Sequence, residues 1–156
     1  ENAGNGITVM ETSSARIGFN APGDGAPLPN QVEANAGHGV VVSRNASARI
    51  VGNQLIGNAW SGVSVVRLSQ ADVAANVIEG NLGHGIEVSQ GSAVNLGNDS
   101  GAGIADLANT TGVANPNHGF GIACGIGGYA NGRSGSLTGL AGPASFSGGC
   151  INSLLP

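Results

Sequence analysis

Few residues of this sequence could do acid–base chemistry, and the most suggestive are two histidines placed between glycines. Residues 37–39 and 83–85 both read Gly-His-Gly, and Glu87 follows the second triplet closely. An imidazole can act as a general acid or base near neutral pH. Cleavage of a glycosidic bond also requires carboxylates, and the four aspartates are scattered at positions 24, 72, 99 and 106.

Arginine and tryptophan side chains offer a second kind of chemistry, the binding of anions and of sugar rings. Arg44 and Arg67 occupy the same position of two successive repeats, and two stacked guanidinium groups could hold a carboxylate or a sulfate through paired hydrogen bonds. Arg49 and Asp72 are spaced in the same way, and we expect them to form an exposed salt bridge of little consequence. Trp60 replaces a glycine at a turn and is expected to be at least partly exposed. It could then serve as a stacking platform for a sugar; the alternative is that the C-terminal tail buries it.

An internal repeat organises these candidates. Residues 35–42 recur as residues 58–65 and again as residues 81–88, and a fixed period of about 23 residues indicates stacked units. Apolar positions alternate with variable ones, as in a strand with one buried face. Each repeat therefore predicts three short strands joined by turns, which together form one coil of a parallel β-solenoid.

Polar residues recur at the turns of the same repeat. Asparagine tolerates left-handed backbone and bonds nearby main chain, so aligned asparagines mark turns and can form a ladder between coils about 4.8 Å apart. Two such columns are Asn35, Asn58 and Asn81, and Asn53, Asn76 and Asp99. His38 and His84 share a column with Asn5 and Ser61, which favours a structural role in turns for both histidines.

The pattern Asn-x-x-x-Gly-(Val/Ile)-x-Val resembles the right-handed parallel β-helix repeats of the pectin-lyase-like superfamily. The resemblance covers roughly residues 1–100 and implies an all-β, right-handed, single-stranded parallel β-helix of about four coils. The Gly-His-Gly triplets are similar to those of polygalacturonases, in which the histidine supports a cluster of aspartates. The other motifs of that family, Asn-Thr-Asp, an Asp-Asp pair and Arg-x-Lys, do not occur in the sequence.

We expect a single domain built from two parts. Residues 1–103 form the coils, and a Pro- and Gly-rich loop at 19–30 enlarges the first coil, either as a binding loop or as a tolerated insertion. The period is lost in residues 104–156, which predicts an irregular C-terminal cap. Cys124 and Cys150 lie in this cap, and a disulfide between them is favoured over two buried thiols, which suggests a location outside the cytoplasm.

Composition narrows the possible partners of the protein. The net charge is −4, with five arginines and no lysine, so nucleic acid binding is not expected. The sequence contains no run of 18 apolar residues, so membrane insertion is not expected either. No cofactor motif is found. The first coil begins at Glu1 without a cap, and an open parallel edge invites pairing, so we expect either that upstream sequence is missing or that a second copy stacks there.

These observations predict a non-catalytic, secreted or cell-surface module, a structural scaffold that self-associates or binds carbohydrate. Its predicted ligand-binding residues are Trp60, Arg44, Arg67 and Glu87. The alternative is a polysaccharide-active enzyme, a lyase or a glycoside hydrolase, or a fragment of one. In that case the catalytic residues would be Glu87, His84, Arg67 and Arg44.

Overall fold

The computed structural model describes residues 2–18, 28–97 and 107–155. These residues form strands, turns and bends but no helix, and so none of them belongs to a helix that could span a membrane. Most of the predicted loop at 19–30 lies outside the described residues. In chain order the fifteen strands are β1 (Ile7–Met10), β2 (Ser14–Ile17), β3 (Gln31–Glu33), β4 (Val40–Ser43), β5 (Ser47–Val51), β6 (Gln54–Ile56), β7 (Val63–Val65), β8 (Gln70–Ala74), β9 (Val77–Glu79), β10 (Ile86–Val88), β11 (Ala93–Leu96), β12 (Phe120–Cys124), β13 (Tyr129–Arg133), β14 (Gly142–Phe146) and β15 (Ile151–Leu155).

The strands assemble into three parallel sheets. The first sheet has the order β1-β4-β7-β10-β12-β14, the second β15-β13-β11-β8-β5-β2, and the third β3-β6-β9. Isolated bridges from Val77 to Thr110 and from Thr110 to Ser136 continue the third sheet. The chain visits the sheets in turn, so each circuit adds one layer to the stack, and the described residues form six coils of a parallel β-helix.

The register between coils follows the predicted columns. Val63 pairs with Val40 on one side and with Ile86 on the other, which confirms the period of the repeat. Ile7 pairs with Val40, so the first coil is longer than the coil that follows it, as the sequence predicts. Glycine precedes these strands because the coils approach closely there: a Cβ on Gly39 would lie 2.6 Å from the carbonyl oxygen of Gly62.

The interior of the solenoid is thin and filled by aliphatic side chains. Ile50, Val65 and Val73 have no exposed surface, as predicted. The buried hydrophobic side chains of the described residues are Val, Ile, Leu, Ala and Cys, without an aromatic ring among them. Full burial of one such Val, Leu or Ile contributes about 1.5–3 kcal/mol, and the layers of successive coils join into one continuous core.

The structure corrects the expected irregular cap within residues 107–155. The strands β12 to β15 continue the first and second sheets in register, with Ile122 opposite Ile86 and Ala130 opposite Val94. The repeat motif recurs here as residues 117–124, which read Asn-His-Gly-Phe-Gly-Ile-Ala-Cys. More residues separate this copy of the motif from the preceding copy than separate the earlier copies from one another. The strands still stack, because stacking requires only that they meet in register.

Two asparagine ladders run through the stack. One contains Asn2, Asn35, Asn58, Asn81 and Asn117, and the other contains Asn30, Asn53, Asn76 and Asn109. The second ladder corrects the predicted column, because Asn109 rather than Asp99 follows Asn76. Asp99 itself lies outside the described residues.

The predicted disulfide is present between Cys124 and Cys150, whose Cα atoms are 5.7 Å apart. Cys124 ends β12 and is buried, and Cys150 directly precedes β15. The bond therefore joins the last two coils that the structure describes.

Candidate functional site

The predicted site residues fall at opposite ends of the first-sheet strands. The turns that enter these strands, residues 36–38, 59–61, 82–84 and 118–120, form what we call the aromatic corner. The turns that leave them, residues 11–12, 44–45, 67–68, 90–91 and 126–127, form the left-handed corner. Trp60 and His84 lie at the aromatic corner, and Arg44 and Arg67 lie at the left-handed corner. Glu87 is on the outer face of β10, so the structure does not bring the four predicted catalytic residues together.

The left-handed corner explains the positions of the two arginines. Arg44 and Arg67 both have φ of 58°, and the residue after each is also left-handed. This strained turn recurs on each coil because main-chain bonds link the copies, for example from Asn45 N–H to the Arg67 carbonyl. Arg44 also forms an ion pair of 2.7 Å with Glu11, and this pair competes with any anion that the two arginines would share.

At the aromatic corner, side chains in one column accept main-chain hydrogen bonds from the next coil. Asn5 Oδ1 accepts from His38 N–H at 2.9 Å, and His38 Nδ1 accepts from Ser61 N–H at 3.1 Å. Ser61 Oγ accepts from His84 N–H at 3.3 Å, and His84 Nδ1 accepts from Phe120 N–H at 3.0 Å. Because partly buried N–H groups need acceptors, both histidines support the turns in which they lie.

This bonding fixes the protonation state of His38. Its Nδ1 accepts a hydrogen bond, so that nitrogen carries no proton and the neutral ring is protonated at Nε2. Burial lowers the pKa of His38 below its ordinary value, while the nearby Glu87 carboxylate acts in the opposite direction. The imidazole is therefore neutral at pH 7.

Glu87 lies between small side chains, with Ser64 and Ala123 as its neighbours across the first sheet. The Ser61 hydroxyl donates a hydrogen bond of 3.4 Å to Glu87 Oε2. The other carboxylates of the described residues lie on other faces and corners: Glu11 at the left-handed corner, Asp72 on the second sheet, and Glu33 and Glu79 on the third. Among the described residues, no second carboxylate shares the face of Glu87, whereas a glycosidase would use two carboxylates.

Trp60 is 59 % exposed, in agreement with the prediction, and the C-terminal segment does not cover it. Its position in the coils on either side is taken by Gly37 and Gly83. The His38 ring meets the indole in a perpendicular contact with centroids 4.9 Å apart, and one coil further on His84 stacks on Phe120 at 5.9 Å. The corner thus holds all three histidines and two of the five aromatic side chains of the sequence.

A groove with a volume of about 840 Å³ lies on the outer face of the second sheet. We call it the second-sheet groove. A row of polar side chains, one from each of five successive coils, crosses it. The row consists of Arg16, Arg49, Asp72, Asn95 and Asn131. Beside it runs a second row, which consists of Ser14, Ser47, Gln70, Ala93 and Tyr129.

Polar contacts connect the first row along the helix axis. Arg49 Nε lies 3.9 Å from Asp72 Oδ2, which confirms the predicted pair. Asn95 Nδ2 donates to Asp72 Oδ1 at 3.3 Å, and Asn131 Nδ2 donates to Asn95 Oδ1 at 3.4 Å. Sequence reasoning missed Tyr129 and Asn131 because they follow the change in spacing, although the Asn-x-x-x-Gly line at residues 117–121 marks their coil.

Comparison with known proteins agrees with this geometry. The model of the family described as right-handed β-helix region matches residues 28–105. The chain belongs to the right-handed β-helix family. No curated protein and no solved structure matches it. As a right-handed β-helix protein it has a defined handedness and architecture. Among the described residues, no three His, Cys, Asp or Glu side chains come together as a candidate metal site.

Proposed function

We propose that this β-helix is a non-catalytic module of the pectin-lyase-like superfamily that binds an extended polysaccharide outside the cytoplasm. The observation that carries the proposal is the polar row of the second-sheet groove, which repeats in register over five coils. The disulfide between Cys124 and Cys150 supports the location, since such bonds persist in oxidising compartments.

A repeating groove suits a repeating ligand. Neighbouring strands lie about 4.8 Å apart, so five strands give a floor about 20 Å long. Amide and charged groups recur along it, while Ser47 and Ala93 in the adjacent row leave space above the sheet. Each polar contact with a sugar hydroxyl contributes only about 0.5–1.5 kcal/mol, and a polymer in register would form several of them at once.

The charge of the groove narrows the class of polymer. Arg16 and Arg49 supply two positive charges and Asp72 one negative charge, although the whole chain has a net charge of −4. A neutral or uronic acid polymer therefore fits the groove better than a basic one. Tyr129, which is 37 % exposed, adds an aromatic surface at one end of the second row.

Calorimetric titration with neutral and uronic acid oligosaccharides tests the proposal, with Tyr129→Ala as the key variant. Ala93 holds the same column one coil earlier, so alanine is compatible with the fold at this position. We expect the variant to lower affinity roughly tenfold, because an aromatic contact is worth about 0.5–1.5 kcal/mol. Gln31→Ala, on the exposed face of the third sheet, serves as the control and should bind as the unaltered protein does. Equal binding by Tyr129→Ala, or failure of every oligosaccharide to bind, would refute the groove as the binding surface.

Self-association is a second candidate function, and the sixth coil supports it. Among the described residues, β14 and β15 are edge strands of the first and second sheets. Leu140, Ile151 and Leu155 on this coil are 69 %, 61 % and 54 % exposed. An apolar parallel edge of this kind could pair with the edge of another copy.

A further inference from the structure

The aromatic corner carries chemistry that the second-sheet groove lacks. The third sheet separates the two surfaces along the chain path. The four turns of the corner contain neither arginine nor lysine, whereas two arginines line the groove. A ligand of the corner would therefore differ in charge from a ligand of the groove.

The indole of Trp60 is presented as a platform. Glycines occupy its position in the coils on either side, so no side chain at that position crowds the ring. The perpendicular contact with His38 restrains the indole, and 59 % of Trp60 still faces solvent. The surface is suited to the flat, weakly polar side of a ring-shaped ligand.

A negative charge accompanies this platform. The Ser61 hydroxyl, on the residue next to Trp60, donates to the Glu87 carboxylate. Ser61 N–H also donates to His38 Nδ1, so the histidine nearest to Trp60 is held in its neutral form. The corner turns contain no arginine or lysine that could pair with the Glu87 carboxylate. Aromatic faces attract cations, and a carboxylate beside such a face strengthens that preference.

We propose that Trp60 and Glu87 form a binding site for a protonated amino sugar, with the sugar ring on the indole and its ammonium group at the carboxylate. This site is additional to the groove and does not depend on the proposed function of the groove. A neutral sugar would lose the charge interaction, and a uronic acid would be repelled by Glu87.

Tryptophan fluorescence gives a direct test, because Trp60 is the only tryptophan of the sequence. Titration with a β-1,4-linked glucosamine tetramer should produce a saturable change in emission that weakens as salt is added. The fully N-acetylated tetramer, which has no ammonium group, should bind roughly ten- to a hundredfold more weakly, in keeping with the strength of charge-assisted hydrogen bonds.

The repeat itself supplies matched variants. Glu87→Ser introduces the residue that Ser64 provides at the same position one coil earlier, and it leaves the fluorescent reporter intact. It should reduce affinity for the amine about as much as acetylation does and should not alter binding of the acetylated tetramer. Trp60→Gly restores the residue of both adjacent coils and, measured by calorimetry, should abolish binding. Circular dichroism and thermal melting verify that each variant is folded, and Glu87→Gln replaces Glu87→Ser if the latter fails.

Three outcomes would overturn the proposal. Equal affinity for the acetylated tetramer would show that the ammonium group is not recognised, and unchanged binding by Glu87→Ser would remove the carboxylate from the site. Loss of the fluorescence response in Tyr129→Ala would show that the tetramer binds in the second-sheet groove rather than at the aromatic corner. Because Tyr129→Ala tests the groove and Glu87→Ser tests the corner, the failure of one proposal is distinguishable from the failure of the other.

Discussion

Single residues matter most where every coil places the same small aliphatic group inside the stack. Val65 lies between Val42 and Val88 in the first sheet, and none of the three has exposed surface. The core around them is aliphatic, so a charge placed there would find no polar partner. The outer face of the same strands tolerates polar groups, as Ser64 and Glu87 show.

Replacement of Val65 by aspartate should therefore unfold the helix. An unpaired buried charge costs about 3–5 kcal/mol, in addition to the lost burial of the valine. Circular dichroism and thermal melting measure the effect, and Val66→Asp, at the half-buried position after β7, is the matched control. A soluble Val65→Asp protein with the melting temperature of the unaltered protein would contradict the register described above.

The stability of the protein should depend on pH through His38. Its folded-state pKa is lowered chiefly by burial, so the unfolded chain takes up a proton first as the pH falls below about 6.5. This part of the stability is complete above that pH, declines as the pH falls, and stops changing below the folded-state pKa. Urea unfolding at pH 7 and pH 5 should show a smaller loss for His38→Ser, which copies Ser61, than for the unaltered protein. His118→Ser, at an exposed position, should behave like the unaltered protein, and identical losses in all three would disprove the role of His38.

At the scale of elements, the asparagine ladders hold the turns in register. Asn58 is fully buried, and its Oδ1 accepts from both the main chain and the side chain of Asn35. Its amide group donates to Asn81 Oδ1 and to the Val32 carbonyl. One side chain thus satisfies polar groups on both neighbouring coils.

We expect Asn58→Ala to destabilise the protein by about 3 kcal/mol or more. The substitution leaves several buried donors and acceptors unpaired, and each costs about 1–3 kcal/mol. Chemical unfolding gives the value, and Gln31→Ala, which removes only an exposed side-chain bond to Gln54, should cost less than about 0.5 kcal/mol. Equal destabilisation by the two variants would show that the ladder is not a principal source of stability.

The sequence predicts elements well where the spacing between coils is constant, and less well elsewhere. Val40, Val63 and Ile86 align at one constant period, so their strand column is legible without a structure. The column continues to Ile122, but the longer chain before it hides the repeat from a search at fixed spacing. Hydrogen bonding between strands requires the correct register, and it does not require a fixed length of the intervening turn.

The candidate sites were only partly predictable for a different reason. Trp60 stands out because it replaces a glycine of the repeat, and its exposure follows from that position. The repeat aligns the row from Arg16 as far as Asn95, but outward polar residues look alike whether they face bulk water or line a groove. Concavity arises from the packing of whole sheets, which no single column reveals.

At the scale of the whole molecule, the apolar sixth coil bears on self-association. Light scattering across a dilution series should show an average mass that rises with concentration. The double variant Ile151→Ser and Leu155→Ser should remain monomeric, because it removes two exposed apolar side chains from β15. The control Gln31→Ala should associate as the unaltered protein does. A constant monomer mass at every concentration would exclude this second function.

The parallel stack also has a consequence for how the chain reaches its native state. Strand partners in the three sheets are separated by a full circuit of the chain, as with Val40 and Val63 or Phe120 and Gly142. The strands of the described residues pair only in parallel, without a hairpin among them, so one complete circuit of the chain must close before the first inter-strand bond of a sheet forms. Such non-local topologies fold on the scale of milliseconds to seconds, whereas each later circuit adds to a template that already exists. We therefore expect closure of the first circuit, rather than addition of later coils, to limit the rate of folding.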